Sequence, residues 1–259
     1  MTVLVTTPGR TTQEHIIQAK ELASELNCPY VERKKRSILR LQQDYQSDIL
    51  IARKERLELF SLGSNEPFFF HPNSAAFRLK RLMHGEEDPM IEAAGLMEGD
   101  SFLDTTAGLS SDSIIAAYAV GEPGIVHACE KNTLIAYLVG RGLKEYISEN
   151  EKLNECMRKV KIFPGDSVSF LKQTKDNSYD VVYMDPMFEE VISEANNFQS
   201  LRQVGAQDSL TAEWVQEAIR VARKRVVLKA HFRSPLFQCY GFTQEIRLTS
   251  KFHYGVIDL

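Results

Sequence analysis

From residue 101 onward, short apolar segments alternate with helical patterns, and this alternation constrains the fold more than any other feature. The predicted strands are 101–106, 124–130, 161–165, 179–185 and 225–230, and the predicted helices are 111–120, 131–143, 167–173 and 211–223. Strands that alternate with helices pair in parallel in α/β proteins. We therefore predict a doubly wound, mostly parallel sheet, closed by a C-terminal antiparallel hairpin of segments 242–248 and 252–258.

The first part of the chain has its own, shorter pattern. Strands are predicted at 2–6, 48–52 and 58–62, and a helix is predicted at 11–26. This pattern predicts a small N-terminal α/β unit over residues 1–65. Residues 66–90, which include three consecutive phenylalanines, are expected to form a linker or helical segment before the doubly wound domain of residues 91–259. We expect Phe68, Phe69 and Phe70 to be core residues, although they could also stack on bases.

Charge and cysteine usage exclude several classes of protein. The net charge of −4 argues against coating of nucleic acid through bulk charge, so any such contact must come from a local basic cluster. The four cysteines form no CxxC pair, which gives no indication of a zinc site or a disulfide framework. Neither a signal peptide nor a long apolar run is evident. These features predict a cytoplasmic protein without a metal and without a membrane span.

The first predicted strand of the sheet ends in an acidic turn that contains glycine. Asp104 closes the strand, and Gly108 lies in the turn LDTTAGLSSDS. Ligands of open parallel sheets bind outside the carboxyl ends of the strands. An acidic strand end repels a pyrophosphate but suits a cationic or zwitterionic ligand, such as the sulfonium and amino group of S-adenosylmethionine. The absence of GxGxxG argues against a nicotinamide-dependent oxidoreductase. An ordinary strand–helix turn is the competing interpretation.

The next two strand ends also carry polar groups. Glu130 closes the second strand, at the position where a carboxylate often holds ribose hydroxyls, although it could equally be a solvated residue before a helix. Asp166 and Ser167 follow the third strand. They could accept a hydrogen bond from an adenine amino group, and they could also cap the helix that follows.

The fourth strand end is the sequence Asp-Pro-Met-Phe. Asp185 could accept a hydrogen bond from an exocyclic amine, and Phe188 could stack on a base. A plain turn with a core phenylalanine is the alternative. The order of these four strand ends is more specific than any single one of them.

Together, DTTAGLSSDS, CEKN, the Asp166–Ser167 turn and VVYMDPMF resemble the class I S-adenosylmethionine-dependent methyltransferases. They are most similar to the bacterial ribosomal small-subunit methyltransferase J family, which methylates the exocyclic N2 of a 16S rRNA guanosine. The resemblance covers roughly residues 90–259. It implies a Rossmann-like fold, S-adenosylmethionine as cofactor and RNA as substrate.

The resemblance also implies roles for individual residues. Ser111 and Asp112 would hold the methionine end of the cofactor, Glu130 and Lys131 the ribose, and Asp166 and Ser167 the adenine. Asp185 would lie where cofactor and substrate meet. The predicted cofactor-binding set is Asp104, Gly108, Ser111, Asp112, Glu130, Lys131, Asp166, Ser167 and Asp185, and the predicted catalytic pair is Asp185 and Phe188.

RNA contact would come from local positive charge. The candidates are Arg33 to Arg36, then Arg78, Lys80 and Arg81, then Arg220, Arg223, Lys224 and Arg225. Each run could instead be a solvated helix face. Two other functions remain open at the level of sequence: a methyltransferase that acts on a small molecule or a protein, and a non-catalytic module that binds the cofactor or RNA. Specificity for DNA is not indicated, and the oligomeric state is not readable.

Overall fold

The computed structural model describes residues 3–53, 56–186 and 210–259. Among these residues, those up to Phe70 form one compact unit and those from His71 onward form a second. The helices at 73–83 and 89–94 belong to the second unit. The division into domains at 1–65, 66–90 and 91–259 stays a prediction.

The first unit is a three-stranded sheet with two helices. Its elements are β1 (Val3–Thr6), α1 (Gln13–Glu25), α2 (Ile38–Tyr45), β2 (Asp48–Ala52) and β3 (Leu57–Phe60). The central strand β2 pairs in parallel with β1 and antiparallel with β3. Phe68 and Phe70 are buried, which confirms the core interpretation for these two rings. In the basic run before α2, Arg33 donates to the Thr7 carbonyl and Arg36 forms an ion pair with Asp44, and contact of this run with RNA stays a prediction.

The second unit is built around a seven-stranded sheet. Its elements are α3 (Asn73–Met83), α4 (Pro89–Ala94), β4 (Ser101–Asp104), α5 (Ser111–Ala119), β5 (Ile125–Glu130), α6 (Thr133–Glu145), α7 (Glu151–Lys159), β6 (Val160–Pro164), α8 (Ser167–Gln173), β7 (Tyr179–Met184), α9 (Ala212–Val221), β8 (Ala222–His231), α10 (Leu236–Cys239), β9 (Thr243–Glu245) and β10 (Phe252–Asp258). The strand order is β6-β5-β4-β7-β8-β10-β9. The first five strands in this order pair in parallel, and β10 is antiparallel to both of its neighbours. The predicted fold class is confirmed.

The order of the strands determines where a ligand can bind. After β4 the chain builds β5 and β6 on one side, and it then returns to build β7 and β8 on the other side. The connections that leave β4 and β7 therefore diverge and leave a crevice at the carboxyl ends of these two strands. The residues Val181 to Met184 of β7 are fully buried, as expected for a strand covered on both faces.

The basic stretch at the start of β8 lies at the opposite, amino-terminal edge of the sheet. Arg223 forms an ion pair with Asp180, and Lys224 forms one with Asp100. The other two candidates of this stretch are also paired, Arg220 with Asp176 and Glu217 and Arg225 with Asp258. These ion pairs agree with the interpretation of the run as a solvated surface, and contact between this stretch and RNA stays a prediction.

Close packing in the C-terminal hairpin gives a stability prediction. A Cβ at Gly255 in β10 would lie 2.4 Å from Cδ1 of Phe237. We expect Gly255→Ala to lower the free energy of unfolding by about 1–3 kcal/mol, because the core must move to relieve the clash. Gly140→Ala in α6 is the matched control, since its Cβ would meet Ile162 at an ordinary 3.8 Å. This substitution should be neutral or stabilising by up to about 1 kcal/mol. Urea unfolding followed by circular dichroism measures both, and equal midpoints would contradict the prediction.

Candidate active site

The carboxyl ends of three adjacent strands bring predicted site residues to one edge of the sheet. Asp104 ends β4 and pairs in register with Ala128 of β5 and Tyr183 of β7. Glu130 and Asp185 each lie two residues beyond these partners. The acidic groups singled out at three strand ends therefore meet at the crevice, as the topology requires.

The turn after β4 is fixed to both neighbouring strands. Thr105 donates its N–H and its hydroxyl to the Tyr183 carbonyl of β7, both at 2.9 Å. Ala107 donates its N–H to the Cys129 carbonyl of β5 at 2.9 Å. Gly108 has a φ of +48°, which favours glycine. The turn therefore spans the strand ends and presents its glycine backbone at the same edge.

Asp104 is buried inside this turn. Its carboxylate accepts hydrogen bonds from the Thr106 N–H at 2.9 Å, the Thr106 hydroxyl at 3.1 Å and the Ser113 hydroxyl at 2.6 Å. Burial raises the pKa of Asp104 to about 7, against the opposing effect of these hydrogen bonds. These contacts make Asp104 an organiser of the turn, and direct contact with a cofactor stays a prediction.

Glu130 connects the glycine turn to the next helix. One carboxylate oxygen accepts a hydrogen bond from the Gly108 N–H at 3.1 Å, and the other accepts one from the Asn132 N–H at 2.9 Å. Asn132 itself caps α6. The adjacent Lys131 is exposed. Glu130 is thus fixed beside the backbone that the ribose prediction requires.

Asp166 and Ser167 lie at the start of α8, beyond β6. The Asp166 carboxylate caps this helix and accepts from the Ser169 N–H at 2.8 Å and from its hydroxyl at 2.9 Å. Gly165 donates its N–H to the Glu130 carbonyl, and a Cβ built on Gly165 would meet no atom within 4 Å. The capping interpretation is therefore confirmed. The adenine interpretation is compatible with it, because Gly165 leaves the adjacent space open.

A network of buried charges surrounds the first turn of α5. Asp112 accepts hydrogen bonds from Arg78, from the Tyr183 hydroxyl at 3.0 Å and from Lys229 at 3.2 Å. Burial opposes ionisation of Asp112, but Lys229 and Arg78 outweigh it and hold the pKa of this carboxyl well below its usual range. Ser111, the first residue of the helix, is half-buried.

Arg78, one of the candidates for RNA contact, is part of this network. Besides Asp112, it contacts both carboxylate oxygens of Asp88, at 2.8 and 2.7 Å. Its side chain is only 18% exposed. Two carboxylates thus take up the donors of Arg78, and its contact with RNA stays a prediction. Arg81 is paired with Glu86 on the surface.

Asp185 is a partly exposed carboxylate of the crevice. Its side chain is 26% exposed, and its Oδ2 lies 2.6 Å from Nζ of Lys229. Its backbone N–H donates to the Thr106 hydroxyl at 2.8 Å. No group in the described part of the chain donates to Oδ1. Burial raises the pKa of Asp185, and the nearby Lys229 offsets only part of this effect. Phe188, the predicted stacking partner, lies outside the described residues.

Lys229 is the site residue that sequence reasoning missed. It lies near the carboxyl end of β8 and bridges Asp112 and Asp185. These two carboxylates raise the pKa of Lys229, although burial opposes the effect. The signal was present in the sequence, since a lysine within the apolar strand RVVLKA requires a buried partner. Tyr183, an aromatic residue with a hydroxyl in a fully buried strand, carried a similar signal.

Residues 3–53, 56–186 and 210–259 contain neither a cluster of metal ligands nor a membrane-spanning helix. In these ranges no three histidine, cysteine, aspartate or glutamate side chains cluster as metal ligands. Nor does any helix there have the length and apolar character needed to cross a membrane.

Comparison with known proteins defines the class of this chain. A family described as "Putative SAM-dependent methyltransferase" matches residues 33–248. The chain belongs to this family of S-adenosylmethionine-dependent methyltransferases, and S-adenosylmethionine is its cofactor. A methyltransferase structure from Neisseria gonorrhoeae is similar in fold, with a TM-score of 0.63, 18% identity and coverage of 98% of this chain and 95% of that one.

Individual relatives differ in how much of the chain they match. The YpiP protein of Bacillus subtilis is 46% identical over 255 residues, which is 98% of this chain and 99% of the relative. A protein named ribosomal RNA small subunit methyltransferase J from Desulfotalea psychrophila is 25% identical over 242 residues, 89% and 87% of the two chains. A protein of the same name from Marinobacter nauticus is 31% identical over 136 residues, 51% and 48% of the two chains.

The residues at the crevice fit this cofactor. Carboxylates suit its sulfonium, its amino group and its ribose hydroxyls, and the acidic edge disfavours a pyrophosphate. Ser110, the residue before α5, makes no side-chain cap, and its buried hydroxyl has no hydrogen-bond partner among the described residues. The first turn of α5 therefore keeps backbone N–H groups for a carboxylate such as that of the methionine moiety. The hydrogen-bonding groups of Glu130, Gly108 and the first turn of α5 are therefore suited to hold S-adenosylmethionine.

The elevated pKa of Asp104 gives a pH prediction. In the unfolded chain this carboxyl ionises near pH 4, whereas in the folded protein its pKa is about 7. The unfolded state therefore binds fewer protons between about pH 4 and 7, and this group lowers folding stability as pH rises through that range. We therefore expect the free energy of unfolding of Asp104→Asn, relative to that of wild type, to increase as the pH is raised from about 4 to 7.

Asp258→Asn, at an exposed carboxylate in β10, is the control for this measurement. Chemical denaturation of all three proteins at several pH values provides the comparison. If the difference in unfolding free energy between Asp104→Asn and wild type does not change with pH, the prediction that burial raises the pKa of Asp104 is contradicted.

Proposed function

We propose that the enzyme transfers the methyl group of S-adenosylmethionine to an exocyclic base amine of ribosomal RNA, with guanine N2 of the small-subunit RNA as the best candidate. The relatives named ribosomal RNA small subunit methyltransferase J support the choice of RNA. The proposal places the reaction in the cytoplasm, where ribosomes are assembled, and it requires no metal.

The observation that carries the proposal is the carboxylate of Asp185. Lys229 holds Oδ2, while Oδ1 accepts nothing from the described residues and the side chain is partly exposed. An exocyclic amine has an N–H to donate and a nitrogen lone pair that must point at the methyl group. A fixed carboxylate oxygen at the crevice can accept that N–H and set the direction of the lone pair.

The chemistry divides between cofactor and protein. The cofactor supplies a methyl group on a sulfonium, which is already a good leaving group. The tasks left to the chain are positioning and exclusion of water. Lys229 holds Asp185 in one orientation, and Thr106 fixes the backbone of the same residue. In this mechanism Asp185 must be ionised, so the raised pKa of its carboxyl makes methyl transfer fall as pH is lowered.

Methylation of ribosomal particles tests the substrate. Small ribosomal subunits from a host that lacks the gene are incubated with the protein and tritiated S-adenosylmethionine. We expect the label to appear in 16S rRNA, and mass spectrometry of the digested RNA to identify an N2-methylguanosine. Label in a ribosomal protein, or label only when small metabolites are offered, would instead support the alternative substrate classes. Cofactor binding without any transfer would support a non-catalytic module.

Asp185→Ala separates orientation of the substrate from binding of the cofactor. We expect the variant to lose methyl transfer by on the order of 100-fold or more, because the amine is no longer oriented. Affinity for S-adenosylhomocysteine, measured by calorimetry, should change much less. Asp176→Ala, at a surface residue that is 69% exposed, is the control. Full activity of Asp185→Ala would remove this residue from the mechanism.

A further inference from the structure

The arginines of the second unit differ in whether a carboxylate compensates their charge. Arg78, Arg223 and Arg225 are all neutralised by ion pairs. In contrast, the guanidinium groups of Arg233 and Arg247 have no carboxylate partner in the described part of the chain. Since the protein as a whole has a net charge of −4, these two groups are local positive charge against an acidic background.

Arg233 lies beside an exposed aromatic ring. Its guanidinium lies 4.9 Å from the centroid of Phe232, and the Phe232 side chain is 37% exposed. The ring of Phe232 lies 4.6 Å from that of His231 and 5.8 Å from that of His253. An exposed ring supported by neighbouring rings and flanked by a cation is a suitable stacking platform for a nucleic acid base.

Arg247 belongs to the same surface. Its backbone carbonyl accepts a hydrogen bond from Nε2 of His253 at 3.0 Å, and the side-chain amide of Gln244 donates to Nδ1 of His253 at 2.8 Å and to the Phe232 carbonyl at 2.9 Å. The guanidinium of Arg247 lies 5.7 Å from the ring centroid of Tyr254. Leu248, the next residue, is 96% exposed. The segment after β8 and the segment before β10 are thus held together as one surface.

This surface lies at the same edge of the sheet as Asp185. His231, the last residue of β8, pairs in register with Phe252, the first residue of β10. Lys229, which contacts Asp185, lies two residues before His231, and at roughly 3.3 Å per residue this separation along β8 is about 7 Å; Phe232 is the next residue after His231. A polynucleotide that presents one base to Asp185 can therefore pass over Phe232 with its neighbouring nucleotides.

From these contacts we infer that Phe232, Arg233, Arg247 and Leu248 form an RNA-binding patch, here called the β8-edge patch, which holds the strand that flanks the target nucleotide. Phe232 stacks on a flanking base, Arg233 and Arg247 contact phosphates, and Leu248 covers an apolar face of a base or sugar. The inference rests on the proposed function, because it names the surface with which that enzyme would hold its substrate. Unpaired arginines next to an aromatic face suit phosphates and bases better than they suit an apolar protein partner.

Three variants test the patch. The double variant Arg233→Gln/Arg247→Gln removes both charges, and Phe232→Leu removes the stacking face. Arg141→Gln is the control, because it removes the charge of an arginine in α6 that is paired with Glu145. Binding of a labelled, unmethylated 16S rRNA transcript is measured by filter retention over a range of salt concentrations. Methyl transfer to small subunits and calorimetric affinity for S-adenosylhomocysteine are measured in parallel.

We expect the double arginine variant to bind RNA more weakly and to flatten the slope of log affinity against log salt by roughly 0.7 per arginine. Phe232→Leu should weaken RNA binding by about fivefold or more without a change in slope. The KM for small subunits should rise in both, whereas affinity for S-adenosylhomocysteine should stay at the wild-type value in all variants. The control should match wild type throughout.

The outcomes distinguish the patch from the proposed function. If wild type methylates rRNA and both patch variants bind and methylate as well as wild type, the patch is overturned and the proposed function stands. If wild type neither binds nor methylates rRNA, the proposed function fails and the patch fails with it. Phe232 and Arg233 are exposed and Arg247 is half-buried without an ion pair in the described part of the chain, so the variants should keep the wild-type circular dichroism spectrum, and a melting temperature is measured for each. Arg233→Lys, which retains the charge, should retain the salt slope.

Discussion

The contact of Lys229 with Asp112 and Asp185 is the interaction on which the site depends. It joins β8 to α5 and to the turn after β7, and these are the elements that enclose the crevice. Burying a charge without partners is strongly unfavourable, so each member of this group requires the others. An ammonium shared by two carboxylates therefore fixes the position of Asp185 and links it to the first turn of α5, where the cofactor is expected to bind.

The charges of this network do not balance, and the imbalance suits the ligand. Arg78 and Lys229 supply two cations, whereas Asp88, Asp112 and Asp185 supply three carboxylates. Asp104 adds further negative charge at neutral pH, although less than a fully ionised carboxylate, because burial raises its pKa to about 7. One carboxylate in excess is a favourable environment for a sulfonium. It is unfavourable for a pyrophosphate, which agrees with the absence of a GxGxxG turn.

The sequence predicted the positions of site residues better than their contacts. Strand ends follow from apolar periodicity and from glycine turns, so Asp104, Glu130 and Asp185 could be assigned to one edge of the sheet. The partners of Asp112 could not, because Lys229 is 117 residues away in the chain and only the folded sheet brings the two together. Helix α7 was missed for a different reason: it is short and mostly polar, and its burial depends on neighbouring elements.

The basic runs singled out in the sequence show the same limit. In the sequence, the run of Arg223, Lys224 and Arg225 resembles a basic patch. In the fold, Asp180 and Asp100 lie at the same edge of the sheet and form ion pairs with Arg223 and Lys224. Isolated arginines in Phe-Arg and Ile-Arg contexts give no sequence signal, yet within residues 3–53, 56–186 and 210–259 neither Arg233 nor Arg247 forms an ion pair with a carboxylate. A cluster of basic residues in the sequence therefore does not show whether those residues are paired. The topology of the fold decides which of them have a carboxylate nearby and which remain available to RNA.

The two edges of the sheet have opposite electrostatic roles. At the amino-terminal edge, ion pairs such as Asp180 with Arg223 close the ends of β7 and β8 and leave little net charge. At the carboxyl-terminal edge, excess carboxylate at β4, β5 and β7 lies beside unpaired arginines after β8 and before β10. A cationic cofactor and an anionic polynucleotide prefer opposite ends of such an edge, and Asp185 lies between them. The placement of charge along one row of strand ends can thus bring the methyl donor and the acceptor strand together without a metal ion.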